Sequence, residues 1–365
     1  MLFSTLVRTD ASPRLHSESC YAHVNRRAGP EYDRVRNQIE RWAARLVTPA
    51  YAEVQGRLQS GDDNDFDSAF FELYVHELLI KSGHTVVPHP TLLGTTKRPD
   101  FLASGSSGDV IVEAKVVTEA TNEERARDAR LRAFYAAIDE RIKSPDYFLS
   151  LDVDGACTEP IPFASWCRKL QIWLDGLDYD EIVLIGRRGT FHQLPVLEIE
   201  HDDAIFRARP IAKNEAARGK TGARPLGVLG GGAEWVTSHF TIAEALSRKA
   251  RRYGALTQQF VIAINCLGPY CDWEEVEEGI YGSEGPRSTA PRLSPRVSAV
   301  LCGLHVLPWS FTRAEVCLFH NPNATFPYVG PLTSLPQTIR DSGKTTTSKG
   351  RHPREWFGLN ESWPE

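Results

Sequence analysis

From Phe66 to Ser82 the chain reads FDSAFFELYVHELLIKS, and wound as a helix this stretch is apolar nearly all round. Phe66, Ala69, Phe70, Phe71, Leu73, Tyr74, Val75, Leu78, Leu79 and Ile80 leave no broad polar face, so such a helix has to be enclosed by other layers of structure. Its few polar residues then belong at an edge or in a site. Glu72 and His76 are i,i+4 neighbours, as are Glu77 and Lys81. Glu72 therefore reads either as an edge residue, solvated or paired with His76, or as part of a site. The acidic run Asp62, Asp63, Asp65 and Asp67 ahead of the helix suits a helix N-terminus. It lacks the spacing and closing glutamate of a calcium loop.

The segment that follows supplies the layers. Asp109 to Val117, β-branched and behind a Gly-Ser turn, reads as a strand whose side chains alternate between faces. Val110, Val112, Ala114 and Val116 take one face and suit packing on a helix; Ile111, Glu113 and Lys115 share the other. Glu113 and Lys115 then lie roughly 7 Å apart along the strand, within reach of one reacting centre. Arg98-Pro99-Asp100-Phe101-Leu102 opens the preceding strand, with Pro99 where a missing N–H is tolerated. A hairpin through Ser104 to Gly108 returns the chain and brings Asp100 near Glu113. Two converging carboxylates suit a hard divalent cation, and Mg²⁺ takes one or two of them and completes its shell with water and substrate phosphate.

These residues resemble the PD-(D/E)XK nuclease superfamily, in a bacterial subgroup. Its signature is Pro-Asp, an interval, then Asp/Glu-X-Lys; here it reads Pro99-Asp100, twelve residues, then Glu113-Ala114-Lys115. The superfamily often adds a helix glutamate upstream, and Glu72 lies eleven residues before Gly83. The resemblance spans roughly Phe66 to Asp154. It implies an α/β (α+β) fold with a restriction-endonuclease-like core, a central mixed sheet flanked by helices, here with a C-terminal α+β extension. It also implies a nuclease that hydrolyses phosphodiester bonds, with Mg²⁺ as the cofactor and Mn²⁺ as a substitute. Asp100, Glu113 and the Ala114 carbonyl would hold the metal, Glu72 would complete the shell directly or through water, and Lys115 would orient or activate the attacking water. Lys97 and Arg98 could touch a phosphate, although plain solvent exposure accounts for them equally well. The alternative is a non-catalytic nucleic-acid-binding or scaffold protein that keeps the fold.

The composition, 365 residues at 41% hydrophobic and 24% charged, is that of an ordinary globular chain. Met1 to Asp10 has neither a basic n-region nor an apolar h-region, and apolar runs such as Phe260 to Ile264 are too short to span a bilayer. Seven cysteines, an odd number without close pairing, suit a reducing compartment. The expectation is a cytoplasmic protein away from membranes, acting alone, as a homodimer or with a partner protein. At a net charge of −5, a nucleic-acid partner, DNA foremost, needs a local basic surface. Two stretches are candidates, Arg207 to Arg224 and the end of a helix over Ile242 to Tyr253. Each also reads simply as a solvated loop or a cation-rich helix C-terminus.

The remaining segments divide the chain into a helical lead-in (1–60, with a helix from Glu31 to Leu46), the nuclease-like core (61–155), an appended α+β region (156–335) and a polar, flexible tail (336–365). A helix over Asn122 to Lys143 and a strand over Tyr147 to Val153 complete the expected core order. Trp166 to Leu177 reads as a helix; Glu181 to Ile185, Leu194 to Ile199, Phe260 to Cys266, Val297 to Leu307 and Ala314 to Phe319 read as strands. Three apparent motifs fail on chemistry. Gly219-Lys220-Thr221 has Asn214 where a phosphate-binding loop needs glycine, and Gly230-Gly231-Gly232 reads as a flexible turn. The pairs Cys302/His305 and Cys317/His320 fall in apolar strand-like runs that favour buried cysteines over zinc.

Overall fold

The computed structural model of the protein describes residues 1–118, 122–220, 224–231, 238–254, 256–268, 271–282, 293–341 and 343–365. The chain forms two compact units, one of Met1–Pro13, Ser19–Glu119 and Val236–Glu365, the other of Arg14–Glu18 and Ala120–Trp235. This division differs from the boundaries expected near residues 60, 155 and 335.

The first unit opens with α1 (Cys20–Arg26), α2 (Pro30–Ala43), α3 (Thr48–Leu58) and α4 (Asp63–Lys81), then β1 (Thr85–Pro88), β2 (Phe101–Gly105) and β3 (Gly108–Val117). The second unit follows with α5 (Asn122–Arg141), β4 (Tyr147–Gly155), α6 (Phe163–Asp175), α7 (Tyr179–Arg188), β5 (Leu197–His201), β6 (Ala204–Ala212) and β7 (Leu226–Gly231). The chain then returns to the first unit for α8 (Ser238–Ala250), β8 (Gln259–Cys266), α9 (Trp273–Tyr281), β9 (Ala299–Leu304), β10 (Val316–His320), β11 (Gln337–Asp341), β12 (Lys344–Ser348) and α10 (Pro353–Phe357).

An eight-stranded mixed sheet in the order β1-β2-β3-β8-β9-β10-β11-β12 is the frame of the first unit. β2 and β3 form an antiparallel hairpin closed at Gly105 and Gly108, where Gly108 adopts φ +95° and so needs glycine. β3 runs parallel to β8, and β8 parallel to β9. The helices cover both faces. Val110, Val112, Ala114 and Val116 join the core built on α4, whereas Ile111 and Val117 join the core built on α8 and α9. The alternation expected for the Glu-Ala-Lys strand therefore holds.

α4 is enclosed, as its all-round apolar sequence requires. Asp62 caps its N-terminus by accepting from the backbone N–H groups of Asn64 and Asp65. Trp42 stacks against Phe70 (5.9 Å) and meets Phe311 edge-on (5.3 Å), while Tyr74 meets Phe357 (5.4 Å). Each such pair adds about 0.5–1.5 kcal/mol beyond its buried area.

Several expectations are corrected. The strand over Tyr147 to Val153, expected within the nuclease-like core, becomes β4 in a separate four-stranded sheet of order β5-β6-β4-β7, and β8 is the parallel neighbour of the Glu-Ala-Lys strand. Burial explains the placement. β8 is buried along nearly its whole length on both faces, as an interior parallel strand must be, while β4 alternates buried with half-buried positions such as Ser150 and Asp152.

Glu181 to Ile185 is helical, within α7, because Asp178 caps the start and Gly189, in the left-handed region at φ 70°, closes the end. The tail is not a flexible appendage: β11 pairs with β10, β12 with β11, and Trp363 packs 4.7 Å from Phe311. Its polar, Thr-rich composition suits the outer strands of a sheet. Gly230 and Gly231, expected in a turn, lie in β7 opposite Asp152 and Val153; Thr221 and Gly232 fall outside the described residues. Among the described residues no helix is long and apolar enough to cross a membrane.

Candidate active site

Asp100 stands one residue ahead of β2, so the register that pairs Phe101 with Val112 sets it opposite Glu113. The two residues clasp each other through the backbone. The Ala114 N–H donates to Asp100 Oδ2 at 2.7 Å, and the Asp100 N–H donates to Glu113 Oε2 at 3.3 Å. The hairpin thus delivers two carboxylates to one place at the end of a strand pair.

Glu113 is 1% exposed, and a charge so placed needs partners. They come from the end of α8 and the turn after it, which pack on the Glu113 face of the sheet. Lys249 Nζ lies 2.5 Å from Glu113 Oε1 and 3.3 Å from the Ala114 carbonyl oxygen. Arg252 Nη1 lies 3.4 Å from the same Oε1, and the Tyr253 hydroxyl donates to Oε2 while resting 3.2 Å from the Arg98 carbonyl. Burial, then the adjacent Glu113 charge, pushes the Tyr253 phenol well above its usual range, so it remains a donor.

Asp100 is held differently. Burial, then the negative charges of Glu72 and Glu113, push its carboxyl up to about 8, against the opposing pull of Lys249 and the Ala114 N–H. Among the described residues no cation lies within ion-pairing distance of it. Glu72 reaches Asp100 only through its field. Arg57 of α3 grips Glu72 at both oxygens, with Nη1 donating to Oε1 at 2.6 Å and Nη2 to Oε2. With both oxygens held by Arg57, Glu72 is not the partner of His76, which corrects that alternative. That imidazole is packed 5.5 Å from the Phe101 ring and is pushed down to about 4 by burial and by Arg45.

Among the described residues no group of three or more His, Cys, Asp or Glu side chains is arranged to hold a metal ion. Asp100, Glu113 and the Ala114 carbonyl nonetheless form an all-oxygen donor set with two carboxylates, which fits the little that Mg²⁺ asks of a protein. The Lys249 ammonium stands in for a cation there, since it rests on Glu113 Oε1 and the Ala114 oxygen at once. Lys115 is half-buried on the Glu113 face; among the described contacts it is Lys249, not Lys115, that reaches the carboxylate. Lys97 and Arg98 are exposed beside Asp100 and make no ion pair with a described residue.

Arg57, Lys249, Arg252 and Tyr253 were not expected here. The cation-rich end of α8 was conspicuous in the sequence but read as a solvated helix end or a nucleic-acid surface. The other basic stretch is largely engaged by its own unit. Arg207 pairs with Glu198 (2.8 Å), Arg218 pairs with Asp146 (2.9 Å), and buried Lys213 donates to the Ser144 carbonyl. Cys302 and Cys317 are buried, with Cys302 Sγ 4.0 Å from Cys266 Sγ and Cys317 Sγ 3.3 Å from Thr338 Oγ1; His320 instead contacts Gln337. Compared with known proteins, the chain matches no family model, no curated protein and no solved structure.

Proposed function

We propose that the chain is a cytoplasmic, Mg²⁺-dependent nuclease with a restriction-endonuclease-like core, hydrolysing phosphodiester bonds in DNA. The observation that supports this reading most is the Asp100–Glu113 clasp: a buried and a half-buried carboxylate beside the Ala114 carbonyl oxygen, brought together by the hairpin that carries the Pro-Asp and Glu-X-Lys residues. Asp100, Glu113 and the Ala114 carbonyl hold the metal, with Mn²⁺ as a substitute. When bound, the ion supplies a water of lowered pKa and stabilises charge on the phosphoryl oxygens. Lys115 orients the attacking water and offsets negative charge, while exposed Lys97 and Arg98 steady the phosphate backbone. Glu72, fixed by Arg57, keeps a negative field on Asp100.

A second reading is favoured by one observation. Lys249 and Arg252 neutralise Glu113 and Arg57 neutralises Glu72, so both glutamates are balanced by protein cations, as in a binding or scaffold protein that has kept the fold. Cleavage of plasmid, linear duplex, single-stranded DNA and RNA with Mg²⁺, Mn²⁺ or EDTA separates the two. The nuclease reading expects metal-dependent cutting that falls by about two orders of magnitude or more in Asp100→Ala and Lys115→Ala. Cutting that survives in both variants sinks the assignment, and folded protein that binds DNA without cutting it supports the scaffold.

A further inference from the structure

Lys249 occupies an unusual place for a lysine. It extends from the last turn of α8 and its side chain is 15% exposed, with the ammonium on the two oxygens, Glu113 Oε1 and the Ala114 carbonyl, that belong to the metal donor set. A helix C-terminus attracts a cation electrostatically, but that attraction does not require the cation to reach across to another element. The contact joins residues 136 positions apart, and the neighbouring Arg252 and Tyr253 converge on the same carboxylate. Glu113 would thus keep two partners if the ammonium left.

We propose that Lys249 is a displaceable internal cation, which fills the metal position in the resting protein and has to leave Glu113 and the Ala114 carbonyl before a divalent ion can be held there. The idea rests on the nuclease reading and adds a regulatory step to it. An ammonium and a divalent ion cannot both occupy the contact position on Glu113 Oε1 and the Ala114 oxygen, where their repulsion in a partly buried site amounts to several kcal/mol, on the order of 5 or more, whereas Arg252 touches Oε1 alone and at 3.4 Å. Lys249 therefore holds the site together when no metal is present and sets a threshold of metal concentration below which the site stays closed. Its flexible four-carbon stem and compact head suit withdrawal better than a guanidinium fork would.

Mn²⁺ is the probe. Its binding is followed by electron paramagnetic resonance or calorimetry in the full-length wild type, Lys249→Met and Glu113→Gln, together with acylation of the Lys249 amine by acetic anhydride, read by mass spectrometry with and without Mn²⁺. The expected result is that Lys249→Met binds Mn²⁺ about tenfold more tightly than the wild type or better. Glu113→Gln should bind far more weakly, and the wild-type Lys249 amine, protected without metal, should become reactive when Mn²⁺ is added. The labelling uses the wild type, so it stands even if a variant folds poorly. If Mn²⁺ binds in a Glu113-dependent way but Lys249→Met gains nothing and labelling does not change, the displacement idea is overturned while the metal site stands. If neither wild type nor Lys249→Met binds Mn²⁺ through Glu113, the metal reading falls and takes this inference with it.

Discussion

Glu72 and Glu113 lie within electrostatic reach of the same aspartate and satisfy their charge in opposite ways. Glu72 is gripped by a single planar guanidinium from a neighbouring helix, both oxygens matched to both nitrogens. Glu113 is deeper, and shares its two oxygens among an ammonium, a guanidinium at longer range and a phenol, all from one helix end. The first arrangement is rigid and specific. The second has redundancy, which lets one partner depart without stranding the carboxylate. A structural role suits the first and an exchangeable role the second.

The largest effect tests the depth of Glu113. Glu113→Ala leaves the Lys249 ammonium facing an apolar void and should cost about 3–5 kcal/mol of stability, measured by urea unfolding. A loss under 1 kcal/mol would mean that Lys249 simply swings to solvent and that the contact is incidental. Next come two double-mutant cycles. The Arg57–Glu72 pair should show a coupling energy of about 1–3 kcal/mol, and the Lys249–Glu113 pair a smaller one, because Arg252 and Tyr253 still serve the carboxylate when Lys249 is truncated. Equal couplings would mean that the two carboxylates are held alike.

His76 sharpens the comparison from another side. It is one turn along α4 from Glu72, and a partnership between them would raise its pKa. Its neutral burial instead depresses the value to about 4, below the roughly 6.5 of an unfolded chain. The unfolded state then takes up the proton first as pH falls. His76 thus contributes stability that is fully present above about pH 6.5 and lost on acidification toward 4, on the order of 1–3 kcal/mol. His76→Phe should flatten that part of the stability–pH curve, and an imidazole that titrates above 6.5 by NMR would restore the Glu72–His76 pairing. The smallest effect is a control. The pair of Arg207 with Glu198 lies at the surface, and Arg207→Ala should change stability by less than about 0.5 kcal/mol.

What could be read in the sequence was what is local. The enclosure of α4, the facing of Glu113 and the approach of Asp100 all follow from periodicities and from one short hairpin, and the structure bears out their geometry. Tyr147 to Val153 was assigned to the core because its place in the order of elements fits. The clue lay in composition: Ser150 and Asp152 interrupt that strand, while Phe260 to Ile264 runs without a polar residue and so suits burial on both faces. The helix α7 was missed because five residues from Glu181 to Ile185 fit either period, and only the flanking Asp178 and Gly189 decide. Arg57 and Lys249 were beyond reach for a different reason. Nothing in a pattern of spacing says which carboxylate a distant cation will find, and both pairings depend on how separate helices pack against the sheet.

The insertion of a whole compact unit between β3 and α8 has a consequence for the order of assembly. During synthesis β3 emerges with its hairpin partner β2 on one side and nothing on the other, because β8 is made only after more than a hundred further residues. Its other edge, rich in valine, meanwhile resembles the exposed strands that invite association between chains. Closing the β3–β8 pairing is a long-range step, slow by its topology, unless the inserted unit folds early and shortens the effective loop. The residues that neutralise Glu113 arrive with that same step. A nascent or truncated chain ending before α8 therefore carries an open sheet edge and an uncovered apolar face around Glu113 together, the kind of surface that chaperones bind.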